Sequence, residues 1–399
     1  MRVRPTITHL TLAALLAGIV FGGIAPSLAQ HLGVVSRLFV RLLQMLVAPL
    51  VFSTLAAGIG GSAGIVSLRR LATGAVLFFG AATLVASLVG LAAGNLLVPF
   101  VPIAPPAGID PAPVAAVARE SFGEMLIPSS IVRAMADNNL LAVVFFTVLF
   151  AMALRTLRDD LGAPLVRLLE SVAAVMVRLA GGVMWTAPVA VFAASDAVVA
   201  TSGWAGLRAF LALVVAAYVA LAGFGVLMLL VSSRVGRFGA GAFMRALAGA
   251  LLLAFSTASS AAALPGAMEE LERWGASRRT ISFVLPLGYS FNLTGTALYL
   301  PLVTLFWARL NGVTLGWGQQ AVLLAMVFAV IRGIPPIPRG LFLVWGGLLA
   351  QLHLPPEGLV IMLAIDPLLD MARTAVNVEG NCLAVVTLDG LASHRRAPA

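Results

Sequence analysis

The sequence predicts an all-α polytopic membrane protein, and three observations carry that prediction. Of the 399 residues, 61% are hydrophobic and only 10% charged, whereas soluble domains carry about a quarter charged residues. Mean hydropathy is +1.04, and apolar stretches able to cross a hydrocarbon core of about 30 Å follow one another almost end to end. The basic residues are all arginine, and groups such as Arg69-Arg70, Arg155 with Arg158, and Arg234 with Arg237 fall at the ends of or between those stretches, as cytoplasmic loops retain positive charge.

Gly, Pro and Arg punctuation divides the first part into six spans near 8–30, 34–64, 71–101, 125–155, 161–200 and 205–233. Arg2 and Arg4, the run from Leu10 to Ile24, and Ser27-Leu28-Ala29 imitate a secretory signal peptide, but the expectation is an uncleaved first helix. Residues 102–124, rich in Pro and Ala with Asp110, Glu120 and Glu124, read as an extramembrane loop. The net charge of +9 is taken up by topology signals and does not point to nucleic acid. Cys382 is the single cysteine, so neither a disulfide framework nor a cysteine metal site can be built.

After Arg237 the apolar runs acquire polar or proline-rich centres: Ser256-Thr257-Ala258-Ser259-Ser260, Asn292-Leu293-Thr294-Gly295-Thr296 and Pro335-Pro336-Ile337-Pro338. Non-helical backbone at membrane depth survives only where protein or a water-filled cavity covers it, and interrupted helices in pairs mark a transporter's binding site. Arg69, Arg70, Arg155, Arg158, Arg234, Arg237, Arg273, Arg278, Arg279, Arg395 and Arg396 are expected on the cytoplasmic side. Segments 240–272 and 317–353 then enter and leave on one face, as re-entrant hairpins opening from opposite sides. The whole chain reads as eight transmembrane helices plus two re-entrant helical hairpins.

The last span concentrates the chemistry. Asp366, Asp370, Arg373, Asn377 and Asn381 fall at i, i+4, i+7, i+11 and i+15, one face of a helix, with Thr374 beside them. An ionisable group at the membrane centre costs about 3 kcal/mol, so it marks function by default. The plainer alternative is an i, i+3 ion pair, Asp370 with Arg373, that only locks helices together. The Thr and Asn residues on the same face favour a polar track.

Several segments resemble the dicarboxylate/amino acid:cation symporters, the family that includes the glutamate transporter homologues. Phe39-Val40-Arg41-Leu42-Leu43-Gln44-Met45-Leu46-Val47-Ala48-Pro49-Leu50-Val51-Phe52-Ser53 looks like its second-helix signature, and Ala187-Pro188-Val189-Ala190-Val191-Phe192-Ala193 like its fifth-helix motif. Val284-Leu285-Pro286-Leu287-Gly288, running into Asn292 and Gly295-Thr296-Ala297-Leu298-Tyr299, is similar to its seventh helix. Asp366 to Gly380, with Asp370, Arg373-Thr374 and Val376-Asn377-Val378, is the most specific match.

The resemblance implies an elevator-like carrier that assembles as a homotrimer in a bacterial inner membrane, with lipid and a small anionic substrate as its partners and no nucleic acid. It implies that residues 1–237 are mainly scaffold and trimerisation helices 1–6, helices 3 and 6 moving with the core, and that 238–390 form the transport core. It assigns substrate binding to Ser259, Ser260, Thr296, Ile337, Asp370, Arg373, Thr374 and Asn377. Asp370 would hold an ammonium, Arg373 the side-chain carboxylate, and Asn377 with Thr374 the α-carboxylate, so aspartate or glutamate is the implied substrate. A planar guanidinium suits a carboxylate bidentately. No cofactor is expected.

The departures from the family pattern concern the coupling cation. Its positions correspond to Thr83, Gly288, Ser290, Asn292, Thr294, Asn377 and Asn381, with Thr294 and Asn381 where the family has carboxylates. In the third helix Phe79, Ala82 and Thr83 replace a polar cluster. Hard cations need oxygen ligands, so a Na+ site is weakened and the coupling ion stays open between Na+ and H+. None of His9, His31, His353 and His394 lies in the expected site, which leaves Asp366 or Asp370 to carry any proton. In the second hairpin Pro338 matches the tip proline, flanked by Arg332 and Arg339. These form a basic gate whose positive charge could stand in for sodium, unless both face water or headgroups. In the first hairpin Ser259 and Ser260 are followed by Ala261, Ala262 and Ala263, small residues that could equally serve close helix packing.

Other classes are weaker. An intramembrane enzyme finds no His-Glu-x-x-His pair and no membrane His cluster to hold a metal. A non-transporting receptor or scaffold of the same fold remains an alternative, as does a dicarboxylate carrier of the succinate type.

Overall fold

A computed structural model describes residues 7–24, 26–60, 69–98, 127–137, 139–331, 334, 341–356 and 358–394. The described residues contain helices and no strand. The helices are α1 (Ile7–Ile24), α2 (Pro26–Gly60), α3 (Arg69–Leu97), α4 (Ile131–Ala136), α5 (Leu140–Leu154), α6 (Asp159–Met184) and α7 (Ala187–Gly236). Then follow α8 (Ala240–Thr257), α9 (Ser260–Trp274), α10 (Arg278–Phe291), α11 (Thr294–Leu310), α12 (Trp317–Val330), α13 (Leu341–Gln351) and α14 (Gly358–His394). Among the described residues, five helices are long and apolar enough to cross a membrane, or six if the bent pair Asp160–Met184 and Ala187–Ala193 is one span. This is a multi-pass membrane protein. The loop expected at 102–124 and the tip of the second hairpin lie outside the described residues.

One break falls elsewhere than the sequence suggests. Its punctuation puts a boundary between 200 and 205, yet α7 runs on through Thr201-Ser202-Gly203, and the chain bends by 43° at Trp185–Thr186. Pro188 accounts for this. It has no N–H to donate, and its ring clashes with the carbonyl four residues earlier, that of Met184, where α6 stops.

The chain divides into two compact units. The first comprises Met1–Ala63, Asn95–Val214 and Val303–Pro367. Within it α2 packs on α5, α6 and α13, and Phe52 meets Phe146 and Phe150 at centroid separations of 6.3 and 5.5 Å. Lipid offers no hydrogen bonds, so buried polar groups pair internally. Ser53 and Thr54 donate to the Pro49 and Leu50 carbonyls, and Asn95 and Gln320 exchange amide bonds of 2.9 and 3.3 Å. Trp345 donates to Thr304, and Trp307 to the Pro355 carbonyl.

The second unit comprises Gly64–Gly94, Val215–Leu302 and Leu368–Ala399, so it holds α3 to Gly94, α7 from Val215, α8 to α10, the start of α11 and α14 from Leu368. Here α8 and α9 form an antiparallel hairpin joined by Ala258 and Ser259. Ala258 adopts the left-handed conformation at φ 47°, and Ser259 caps α9 by accepting from the Ala262 N–H at 3.2 Å. The Glu270 carboxylate on α9 reaches back to the Ala250 N–H on α8. At the open end Phe238, Phe243 and Trp274 meet in tilted and edge-to-face contacts, and Gly275, at φ 100°, closes α9. Ser277 caps α10, and the Asp389 carboxylate near the end of α14 accepts from Ser277 N, Ser277 Oγ and Thr280 Oγ1.

Candidate functional site

Along the polar stripe of α14, Asp366, Arg373, Asn377 and Asn381 are buried and Asp370 is partly exposed. Arg373 is 1% exposed and donates through Nη2 to Asp370 Oδ1 at 3.0 Å, while the Asp370 side chain is 22% exposed. The ion pair therefore has an inner, covered cation and an outer, reachable anion. Tyr299 of α11 lies under the guanidinium, its ring centroid 4.6 Å from Arg373 Cζ. A cation at this separation from an aromatic face is attracted by the ring quadrupole. Asp366, one turn earlier on α14, is fully buried, and Thr374 and Asn377 after it are buried too.

The break between α10 and α11 supplies the rest. Asn292 is in extended conformation at the end of α10, and α11 restarts at Thr294. The first N–H groups of a helix lack internal partners. One of them, that of Gly295, donates to Asn377 Oδ1 at 2.8 Å. Asn377 thus caps α11 from across the unit, which commits its oxygen and leaves its amide N–H groups for another acceptor. Gly295 is needed for this approach, because a Cβ there would lie 2.5 Å from the Arg373 carbonyl oxygen. Thr296, buried, stands one residue further on.

Of the positions expected to bind a cation, Gly288, Asn292, Thr294 and Asn381 come together as neutral groups. Asn292 Nδ2 donates to Asn381 Oδ1 at 2.8 Å. A Cβ on Gly288 would fall 2.5 Å from that same Asn381 oxygen and 2.9 Å from Phe79, so the aromatic ring packs closely against this position. Thr83 Oγ1, Asn292 Oδ1 and Thr294 Oγ1 are buried without a hydrogen-bond partner, the condition a cation ligand would relieve. Yet no carboxylate stands at any of these positions, and a hard cation is held by charged as well as neutral oxygens. The residues fit Na+ poorly. Among the described residues no group of three His, Cys, Asp or Glu could hold a metal.

Ser259 and Ser260 sit at the hairpin tip, half-buried. Ile337, Arg332, Pro338 and Arg339 lie outside the described residues, as does the side chain of Ser290. Sequence reasoning missed Tyr299 as a platform for Arg373, and it missed Glu379. This carboxylate is buried on α14, with Oε2 2.7 Å from where a Cβ on Gly225 of α7 would lie. A charged residue two positions from Asn381 inside an apolar run was the available signal for Glu379.

A buried arginine paired with Asp370 beside a broken helix, in a multi-pass helical protein, is the arrangement of a membrane transporter's binding site. The chain belongs to the sodium:dicarboxylate symporter family, whose model matches residues 7–391, and it is accordingly a secondary active transporter and not an enzyme. It is 35% identical over 368 residues to a proton/glutamate-aspartate symporter of Escherichia coli (strain K12), covering 88% of this chain and 83% of that protein. A C4-dicarboxylate transport protein of Rhizobium johnstonii is 32% identical over 397 residues, covering 96% and 89%. A proton/sodium-glutamate symport protein of Bacillus subtilis (strain 168) is 32% identical over 386 residues, covering 94% and 90%. These relatives carry small anionic solutes.

Proposed function

We propose that this protein is a symporter of acidic amino acids, aspartate or glutamate, in a bacterial inner membrane. The observation that carries the reading is the Asp370–Arg373 pair at 3.0 Å, with its anion reachable and its cation covered. Asp370 pairs with the substrate ammonium, Arg373 with its side-chain carboxylate, and the free N–H groups of Asn377, with Thr374, with the α-carboxylate. Thr296, Ser259, Ser260 and Ile337 complete the contacts. A C4-dicarboxylate is the second reading, favoured by the Rhizobium johnstonii relative. It lacks an ammonium and would leave Asp370 poorly matched.

An acidic amino acid carries net −1, and the Asp370–Arg373 pair is itself neutral. Moving one cation with each substrate cancels that charge at membrane depth, which is the physical case for symport. Neutral Thr294 and Asn381 make the proton the better-supported partner than Na+; the Escherichia coli relative is named for the proton alone, and the Bacillus subtilis relative for both proton and sodium. The fuller architecture, eight transmembrane helices with two re-entrant hairpins, residues 238–390 moving as a transport core in a lipid-embedded homotrimer, rests on family membership.

Purified protein in liposomes, given labelled L-aspartate under an imposed pH gradient or an imposed sodium gradient, tests this. The reading expects uptake driven by the pH gradient. Uptake that requires sodium and ignores the pH gradient would contradict the choice of ion, and absence of uptake with either gradient would contradict the substrate.

A further inference from the structure

We propose that Tyr218 is a positioning residue for the carried solute, tying the substrate-bearing turn of α14 to the tip of the α8–α9 hairpin. The inference rests on the reading of α14 and that hairpin as the solute site. Tyr218, on the part of α7 that belongs to the second unit, donates its hydroxyl to the Leu368 carbonyl at 2.6 Å. Its ring stands edge-on to Phe255, with centroids 6.5 Å apart and planes at 82°.

Each end of this bridge lies next to the site. Leu368 precedes Asp370 by two residues and Arg373 by five, and Pro367 just before it removes an N–H from the helical ladder. A helix is most adjustable where its ladder is incomplete, so an added bond at the next carbonyl fixes the turn that carries Asp370. Phe255 lies in the last turn of α8, and its carbonyl accepts the N–H of Ala258, the left-handed residue that turns the chain into Ser259. A side chain rooted in a third helix therefore holds both halves of the site at a set separation.

The plainer account is that a tyrosine hydroxyl in an apolar setting needs an acceptor and took the nearest. The two accounts differ in what the hydroxyl does. If it only satisfies Tyr218, its loss alters folding stability and leaves affinity alone. If it positions the site, its loss makes each binding event reorder the hairpin tip against α14, and affinity falls.

The test uses full-length protein in proteoliposomes, with labelled L-aspartate uptake measured across a concentration range and melting of each purified variant in parallel. Tyr218→Phe keeps the ring and removes the hydroxyl. A single lost hydrogen bond of ordinary strength predicts that KM rises about five- to tenfold while Vmax per folded protein stays within about twofold. Phe255→Leu, which removes the ring edge from the other end, is expected to raise KM in the same direction. It decides the matter if Tyr218→Phe does not fold. Phe210→Leu, at the Phe210–Phe306 contact in the first unit, is expected to leave KM unchanged. An unchanged KM in Tyr218→Phe, whatever its melting temperature, overturns the proposal while leaving the transport function intact. If the unmutated protein takes up neither labelled aspartate nor labelled succinate, the function and this inference fall together.

Discussion

Replacing Gly295 by alanine probes a close backbone approach in the site. The new Cβ would stand 2.5 Å from the Arg373 carbonyl oxygen, 3.0 Å from its Cα and 3.1 Å from its carbonyl carbon. All three neighbours are backbone, so no rotamer change can make room. To reach ordinary contact, the start of α11 must retreat from α14 by about 0.9 Å, which stretches the 2.8 Å bond from Gly295 N to Asn377 beyond hydrogen-bonding range. Overpacking of this kind costs about 1–3 kcal/mol, and the lost cap adds about 1 kcal/mol. Asn377 and Arg373 both shift, so the KM for L-aspartate uptake is expected to rise at least about tenfold and the melting temperature to fall. Gly266→Ala is the matched control. A Cβ there meets nothing within 4 Å, and in the interior of α9 alanine is favoured over glycine by up to about 1 kcal/mol. Uptake measured in proteoliposomes alongside thermal melting separates the two. A Gly295→Ala protein with unchanged KM and unchanged melting temperature would refute the close packing of α11 on α14.

Further outcomes follow from the same contacts. Asp370→Asn removes the reachable anion, so aspartate should lose its advantage over succinate in competition uptake by about tenfold or more. Ala258→Gly relieves a non-glycine residue at φ 47° and is expected to raise the melting temperature by about 1–2 °C. Asp389→Ala deletes the acceptor of three bonds from Ser277 and Thr280, and faster hydrogen exchange in the first turn of α10 is the expected readout, without a change in substrate selectivity.

What the sequence could and could not disclose divides along physical lines. The stripe from Asp366 to Asn381 was legible because helical periodicity alone places those residues on one face. The interruptions at Ala258–Ser259 and Asn292–Leu293 were legible because lipid tolerates a polar cluster inside an apolar run only where protein or water covers it. The hairpin followed, and the structure draws its two arms back on each other through Glu270 and Ala250. Contacts between helices far apart in the chain were not legible. Nothing local reveals that Asn377 caps α11, that Tyr299 lies beneath Arg373, or that Asn292 donates to Asn381. The bend at Trp185 was missed for a different reason. Ser202-Gly203 looks like a stronger break than Pro188, but glycine is tolerated inside a membrane helix, whereas proline disrupts the turn before it.

Equilibrium binding of labelled L-aspartate and labelled succinate to the purified protein and to Arg373→Ala tests the central claim most directly. The account predicts saturable aspartate binding, weaker succinate binding, and loss of both in the variant, because a buried guanidinium is the anchor for a carboxylate on either solute. Aspartate binding that survives Arg373→Ala with unchanged affinity would contradict it.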